Sequence, residues 1–287
     1  QVTGPFGQPV EMSYYKKDEM AFFEMASLVG LGSIPAEKRN PLELETRGIG
    51  ELILQLVDQG VKTICVGIGG SATNDGGIGM AAGLGVDFYD EQGHLLRPVG
   101  ASLGRVARID TSAVPKALED IDLQVLTDVT NPLCGSQGAT YIFGGQKGLN
   151  PLLFPAVDQT MQDFYQLADA RILSMPGAGA GGGMAAGLVA FAGGQISSGI
   201  EKSLDLIDFD HKVQKADLVV VGEGRMDLQS LSGKAPVGVA KRTPEKIQVL
   251  AICGSLAEDL PAFPSHHIEA AFSIVPGPCG VADALAH

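Results

Sequence analysis

The chain has 287 residues, of which 45% are hydrophobic and 18% charged, with a formal net charge of −13. That length holds one large or two medium domains with a sizeable core. The acidic balance, with no Lys/Arg cluster, excludes a basic nucleic-acid-binding face. No apolar run forms a convincing membrane helix of about 18 residues, since the stretch 177–194 is small-residued and interrupted, so the expectation is a cytoplasmic protein without membrane partners.

The first forty residues read as extended pairings. Val2 and Val10 to Tyr15 flank a Gly/Pro turn, and Met20 to Met25 is a further strand candidate. Because the chain opens at Gln1 directly on a strand-like segment, a missing first piece is expected. Leu42 to Gln59 has helical spacing and is closed by Gly60. Val61–Gly67 is a run of β-formers and feeds into the most informative stretch of the chain, Gly-Ile-Gly-Gly-Ser-Ala-Thr-Asn-Asp-Gly-Gly at 67–77.

A helix-compatible run, Ile78 to Leu84, follows. Strand, glycine turn and helix start together place bare backbone N–H groups and a positive helix end where an anion can sit. Ser71, Thr73, Asn74 and Asp75 add hydroxyl, amide and carboxylate groups at the same place. The plainer alternative is a tight βα turn with an N-cap at Asn74 or Asp75. Gly67, Gly69 and Ala72 also meet the GxGxxG/A pattern, with Asp87 about 20 residues on, as a nicotinamide-dependent dehydrogenase would require. The P-loop pattern fails at Gly233-Lys234, with Leu228 and Ala235 in place of the first glycine and the hydroxyl.

Leu123 to Val129 is a strand candidate ending in Asn131-Pro132, and Asp128 there is either part of an Asx turn or a metal or substrate contact. A second glycine loop, 143–148, carries Lys147, which can reach a phosphate or lie exposed in a turn. Leu152 to Leu173 reads as a helix. A third loop, Pro176 to Gly183, runs into the small-residue helix Met184–Phe191, and Leu206–Val213 is a short helix or connector.

The rhythm then changes, which sets an expected domain boundary near residue 215: 1–215 as one domain and 216–287 as part of another. Apolar strands Leu218–Val221, Ile247–Cys253 and Ala270–Val275, with a helix around Val237–Lys241, spell parallel βαβ units. After the first of these strands come Gly222, Glu223, Arg225, Asp227 and Lys234. Carboxylates at a strand's carboxyl end can hold Mg²⁺ or accept a hydroxyl proton, and the two cations can offset charge on a transferring phosphoryl group. A solvated polar loop with local ion pairs is the alternative.

Cys65, Cys134, Cys253 and Cys279 lie far apart with no CxxC pair, as buried thiols in a reducing compartment do, and the five histidines have no metal-ligand spacing. No GxSxG elbow or Cys–His motif is present. Glycine loops with acids and cations but no nucleophile suit phosphoryl transfer, which needs positioning and charge neutralisation.

The blocks GIGGSATNDGG (67–77), TDVTNPLCG (127–135), FGGQKG (143–148), PGAGAGGGMAAG (176–187), VVVGEGRMDLQSLSGKAPVGVA (219–240) and FSIVPGP (272–278) run colinearly along the chain. In these the sequence resembles the bacterial glycerate kinases of the glycerate 2-kinase type. The resemblance implies ATP-dependent phosphorylation of D-glycerate with Mg²⁺, most simply at the 2-hydroxyl. It also implies two α/β domains, one Rossmann- or flavodoxin-like and built from both ends of the full chain, the other a mixed-sheet inserted domain, with the active site in the cleft between them. The chain departs from the family at its start, where an Asp-Ser-Phe-Lys segment is missing, at its curtailed C-terminus, and at Gly145, where proline is usual. On this reading Gly69, Gly70, Ser71 and Asn74 wall the phosphate or glycerate site, with Lys147, Gly222 and Glu223 as further binding residues. Asp227 leads as metal ligand or proton acceptor, Asp75 is second, Arg225 and Lys234 stabilise transferred charge, and Asp128 is a second candidate metal ligand. A homodimer stays open, as does a non-catalytic binding fragment.

Overall fold

The computed structural model describes residues 1–231 and 235–275. By contact the chain divides into two compact units, Gln1–Ser197 and Ser198–His287. That division falls ahead of the change of rhythm near residue 215. The helix at 199–206 packs within the second unit, where Ile200 fills the space left by Gly238.

Unit 1 opens with two short hairpins instead of one long pairing. Strands β1 (Val2–Thr3) and β2 (Pro9–Val10) pair antiparallel, as do β3 (Tyr15–Lys17) and β4 (Met20–Glu24). Helices α1 (Ala26–Val29) and α2 (Arg47–Asp58) lead to β5 (Thr63–Gly67), and α3 (Ile78–Gly83) follows the glycine loop. Strands β6 (Asp87–Tyr89) and β7 (Arg108–Asp110) form a separate antiparallel ribbon. Then come β8 (Asp122–Leu126), α4 (Ala139–Phe143), α5 (Phe154–Ala168), α6 (Met184–Ala192) and β9 (Gln195–Ser197). The main sheet has the order β3-β4-β5-β8-β9, parallel from β4 onward, with Glu24, Gly67 and Leu126 level at one edge.

The sequence explains this arrangement locally. In α2, Ile49, Leu52, Ile53 and Leu56 fall on one stripe and are all buried; each such side chain contributes about 1.5–3 kcal/mol on burial. The helix begins at Arg47 and not at Leu42, because residues 41–43 form a turn behind Pro41. Helix α5 ends at Ala168, where Asp169 turns extended and its carboxylate accepts the Arg171 N–H. Aromatic rings of Phe88, Phe164, Tyr165 and Phe191 meet edge-on or tilted in the core.

Unit 2 begins with α7 (Gly199–Leu206) and α8 (Phe209–Val213), two helices instead of one because Asp208 between them has φ of 53°. Strands β10 (Leu218–Val221), β12 (Gln248–Cys253) and β14 (Ala270–Ser273) form a parallel sheet in the order β10-β12-β14. Short β11 (Arg225–Met226) pairs parallel with β13 (Ser255–Leu256), and α9 (Leu228–Leu231) and α10 (Ala235–Arg242) complete the unit. Arg242 clamps α10 to α7 and α8 through Glu201, Asp205 and Asp210. Val221, Val237, Val249, Ala251 and Ile268 form the core, whereas Leu218, Val220, Ile252 and Phe272 on the other sheet face are exposed. Both units are α/β with parallel-rich sheets, the class indicated by the sequence. Cys65 and Cys253 are buried thiols in β5 and β12, as their apolar surroundings suggest. Among the described residues, no helix is long and apolar enough to cross a membrane.

Candidate active site

The three glycine-rich loops of unit 1 meet. Gly76 donates its N–H to the Gly182 carbonyl at 3.0 Å, joining the loops at 67–77 and 176–183. Lys147, from the loop at 143–148, sends its ammonium to Ser71 Oγ at 2.9 Å and to the Thr73 carbonyl at 2.7 Å. This lysine is buried, with 3% exposure. Gly182, at φ of 74°, makes room for it: a Cβ there would lie 2.9 Å from Lys147 Nζ and 2.9 Å from the Thr73 carbonyl carbon. Burial lowers the Lys147 pKa to about 8, partly offset by the field of Asp75.

Asp75 is fully buried. Its Oδ2 accepts the Thr46 hydroxyl at 2.6 Å, and its Oδ1 accepts the Gly77 N–H at 3.1 Å. Burial raises its pKa, and the Thr46, Gly77 and Gly79 hydrogen bonds pull it back. The anion at the start of α3 is therefore the chain's own carboxylate. Of the two sequence readings of that helix end, an open anion site and a tight turn capped at Asn74 or Asp75, the structure favours the second: Asp75 occupies it, and residues 71–80 are all buried. Asp75 thus anchors the loop from within, and its burial does not fit the second-ranked proton acceptor of the sequence reading.

Asn74 is likewise buried and donates from Nδ2 to Thr140 Oγ1 at 3.0 Å. Its Oδ1 and the hydroxyl of Thr73 are buried without partners among the described residues. Tyr165 donates to the Gly76 carbonyl at 2.6 Å, with its own pKa driven well above the ordinary phenol value by burial. Gly69 and Gly70 are the exposed part of the loop, at the carboxyl end of β5. Glu24 ends the neighbouring strand β4 on one side, and Asp128, exposed, follows β8 on the other.

The dehydrogenase alternative is not favoured by this geometry. Helix α3 starts at Ile78, well past Gly69 and Ala72. Asp87 lies exposed on β6, outside the main sheet, and not at the end of a strand beside β5.

In unit 2, Gly222 and Glu223 follow β10, Arg225 is exposed on β11, and Asp227 precedes α9. The turn is pinned to the next strand connection by Gly254 N–H to Glu223 O and Ser255 N–H to Gly224 O, each 3.0 Å. Asp227 Oδ1 accepts the Ser230 N–H at 3.0 Å, and the Asp227 N–H returns to Ser230 Oγ at 3.1 Å. This reciprocal pair is a capping box, which holds the carboxylate in one place. Glu223 Oε1 is buried with no partner among the described residues. Lys234 lies outside the described residues.

Glu24, Thr46, Thr140 and Tyr165 were not evident as site-related from sequence. Thr46 stands just before α2, a signal for a cap; only the fold shows that its hydroxyl serves Asp75 and the Met80 N–H. Among the described residues no three His, Cys, Asp or Glu side chains gather as a metal cage.

The glycerate kinase family model matches residues 1–287. A glycerate kinase of Neisseria meningitidis serogroup B is 59% identical over 275 residues, 96% of this chain and 74% of that protein. The glycerate 2-kinase of Escherichia coli K12 is 41% identical over 281 residues, again 96% and 74%. A glycerate kinase 2 crystal structure from Salmonella typhimurium LT2 superposes with a TM-score of 0.81 at 39% identity, covering 99% of this chain and 76% of that one. A family match along the whole chain, together with a fold shared at that identity, decides the matter: the chain belongs to the glycerate kinase family of enzymes.

Proposed function

We propose that this protein transfers the γ-phosphoryl group of ATP to the 2-hydroxyl of D-glycerate, giving 2-phosphoglycerate, with Mg²⁺ as the metal. The full-length family match carries the reading, and the 2-position follows the name of the Escherichia coli relative. The chemistry of the residues supports it. Gly69 and Gly70 offer bare backbone at a strand's carboxyl end, where ligands of parallel sheets gather, and Ser71 stands behind them, held by Lys147. Asn74 keeps this wall in shape through Thr140.

Asp227 is the leading candidate for metal ligation or proton acceptance. Arg225 and Lys234 supply positive charge for the transferred group, Gly222 and Glu223 are further binding residues, and Asp128 is a second candidate ligand. Asp227 would hold the Mg²⁺, which would supply charge neutralisation for the phosphoryl group. The protein acts in the cytoplasm on two small molecules, without nucleic acid or membrane.

The test is ADP release from D-glycerate, ATP and Mg²⁺ with enolase added directly. Enolase consumes 2-phosphoglycerate without a mutase, so phosphoenolpyruvate in the same tube supports the reading. ADP without phosphoenolpyruvate moves the phosphate to the other hydroxyl. No glycerate-dependent ADP ends the kinase reading.

A further inference from the structure

We propose that Glu24 is the catalytic residue that receives the acceptor hydroxyl's proton, an assignment resting on the kinase reading above. Glu24 is the last residue of β4, level with Gly67 of β5. The two strands are locked there by the Met25 N–H donating to the Gly67 carbonyl at 2.7 Å. The Glu24 carboxylate lies against the Gly67 backbone. A Cβ at Gly67 would come within 2.6 Å of Glu24 Oε1, so glycine is what lets the acid rest on the first residue of the loop.

The chain then runs on beside the exposed turn. A Cβ at Gly70 would touch the Ala26 side chain at 3.7 Å, and the Leu31 N–H donates to the Gly70 carbonyl at 2.8 Å. The carboxylate therefore stands at the same sheet edge as Gly69 and Gly70.

It also differs from the other acids that burial affects. Glu24, Asp75 and Asp158 all have pKa values raised by desolvation. Asp75 accepts the Gly77 N–H, and Asp158 accepts the Gly135 N–H at 2.9 Å. Glu24 is exposed, and its carboxylate makes no hydrogen bond or ion pair with a described residue. A solvent-facing carboxylate whose lone pairs no protein group occupies, at a strand's carboxyl end, is open to a hydroxyl donor.

In the transfer, the substrate O–H bond breaks and its proton passes to a Glu24 carboxylate oxygen. The freed oxygen pair forms the new P–O bond to the γ-phosphorus. The β–γ bridging P–O bond breaks, and ADP leaves with that electron pair. Positive charge from a bound metal would offset the charge that develops on the transferred group.

The experiment compares wild type with Glu24→Gln and Glu24→Asp in steady-state kinetics on D-glycerate and ATP, with thermal melting of each. Glu24→Gln is expected to lower kcat by about 10²–10³-fold, with both KM values within threefold and an unchanged melting temperature. Glu24→Asp should recover part of the loss. Wild-type kcat in Glu24→Gln, or a loss confined to KM, overturns the assignment while the kinase reading stands. Absence of glycerate-dependent ADP from wild type overturns both.

Discussion

The loop at 67–77 and the turn at 222–227 carry similar residue types, yet the two are built in opposite ways. In the first, Ser71, Thr73, Asn74 and Asp75 are all buried, and Thr46, Thr140 and Lys147 are partners of its polar groups. Only Gly69 and Gly70 are exposed. In the second, Gly222, Gly224 and Arg225 are exposed, and two backbone hydrogen bonds plus one capping box hold the turn. Polar side chains in the first loop are therefore largely architecture, presenting bare backbone to solvent. In the second the Arg225 side chain is exposed, while Asp227 is part-buried and bonded to Ser230. A motif rich in Ser, Thr, Asn and Asp does not reveal which arrangement it encodes.

The comparison is broken most severely by Lys147→Met. The methionine fills a similar volume but leaves Ser71 Oγ and the Thr73 carbonyl without their buried donor, and Asp75 without a neighbouring cation. A loss on the order of 3 kcal/mol in denaturant unfolding is expected. A variant as stable as wild type would show that Lys147 does not tie the loops together.

Asp227→Asn probes the other arrangement. Asparagine is as good an N-cap as aspartate, so the box with Ser230 persists and stability should change little. Turnover should nevertheless fall by roughly two orders of magnitude or more, because the charge is what metal ligation or proton acceptance uses. Near-normal turnover removes Asp227 from the chemistry.

Much of this was legible in the sequence. All-apolar runs announced parallel strands at Ile64-Cys65-Val66 and Leu218–Val221, the first of them buried, and Gly60 marked the end of a helix. What could not be read was partnership at long range. Thr46 and Asp75 are 29 residues apart, Ser71 and Lys147 are 76 apart, and Gly76 and Tyr165 are 89 apart. Each member looks ordinary in its own segment. Glu24 was invisible for a related reason: its significance comes from lying on Gly67, a neighbour only through strand pairing. The exposed face of β10, β12 and β14 shows the opposite error, since an all-apolar strand predicts burial on both faces and Val220, Ile252 and Phe272 are exposed here.

Gly182→Ala and Gly69→Ala sharpen the contrast within unit 1. A Cβ at Gly182 meets the Thr73 carbonyl and Lys147 at a positive φ, whereas one at Gly69 meets nothing within 4 Å. The first should cost about 2 kcal/mol, measured by denaturant unfolding. The second should leave stability within about 0.5 kcal/mol and instead raise a substrate KM, because it covers exposed backbone.

The smallest expected effect concerns pH. Lys147 has a folded pKa of about 8 against 10.5 when unperturbed. Below 8 both folded and unfolded chains carry the proton, and the cost of burying the ammonium is present in full. Between 8 and 10.5 the folded chain binds fewer protons than the unfolded one, so the Lys147 contribution to stability rises with pH across that window. The binding wall moves the other way. From pH 7 to 9 the charged form of Lys147 falls about tenfold, and the positive field behind Ser71 goes with it. KM for an anionic substrate should therefore rise by up to several-fold over a range in which this residue alone would make the protein more stable. General alkaline loosening would lower stability and affinity together. Unfolding curves and KM values at pH 7, 8 and 9 distinguish the two, and Lys147→Met, having no proton to lose, should show neither trend.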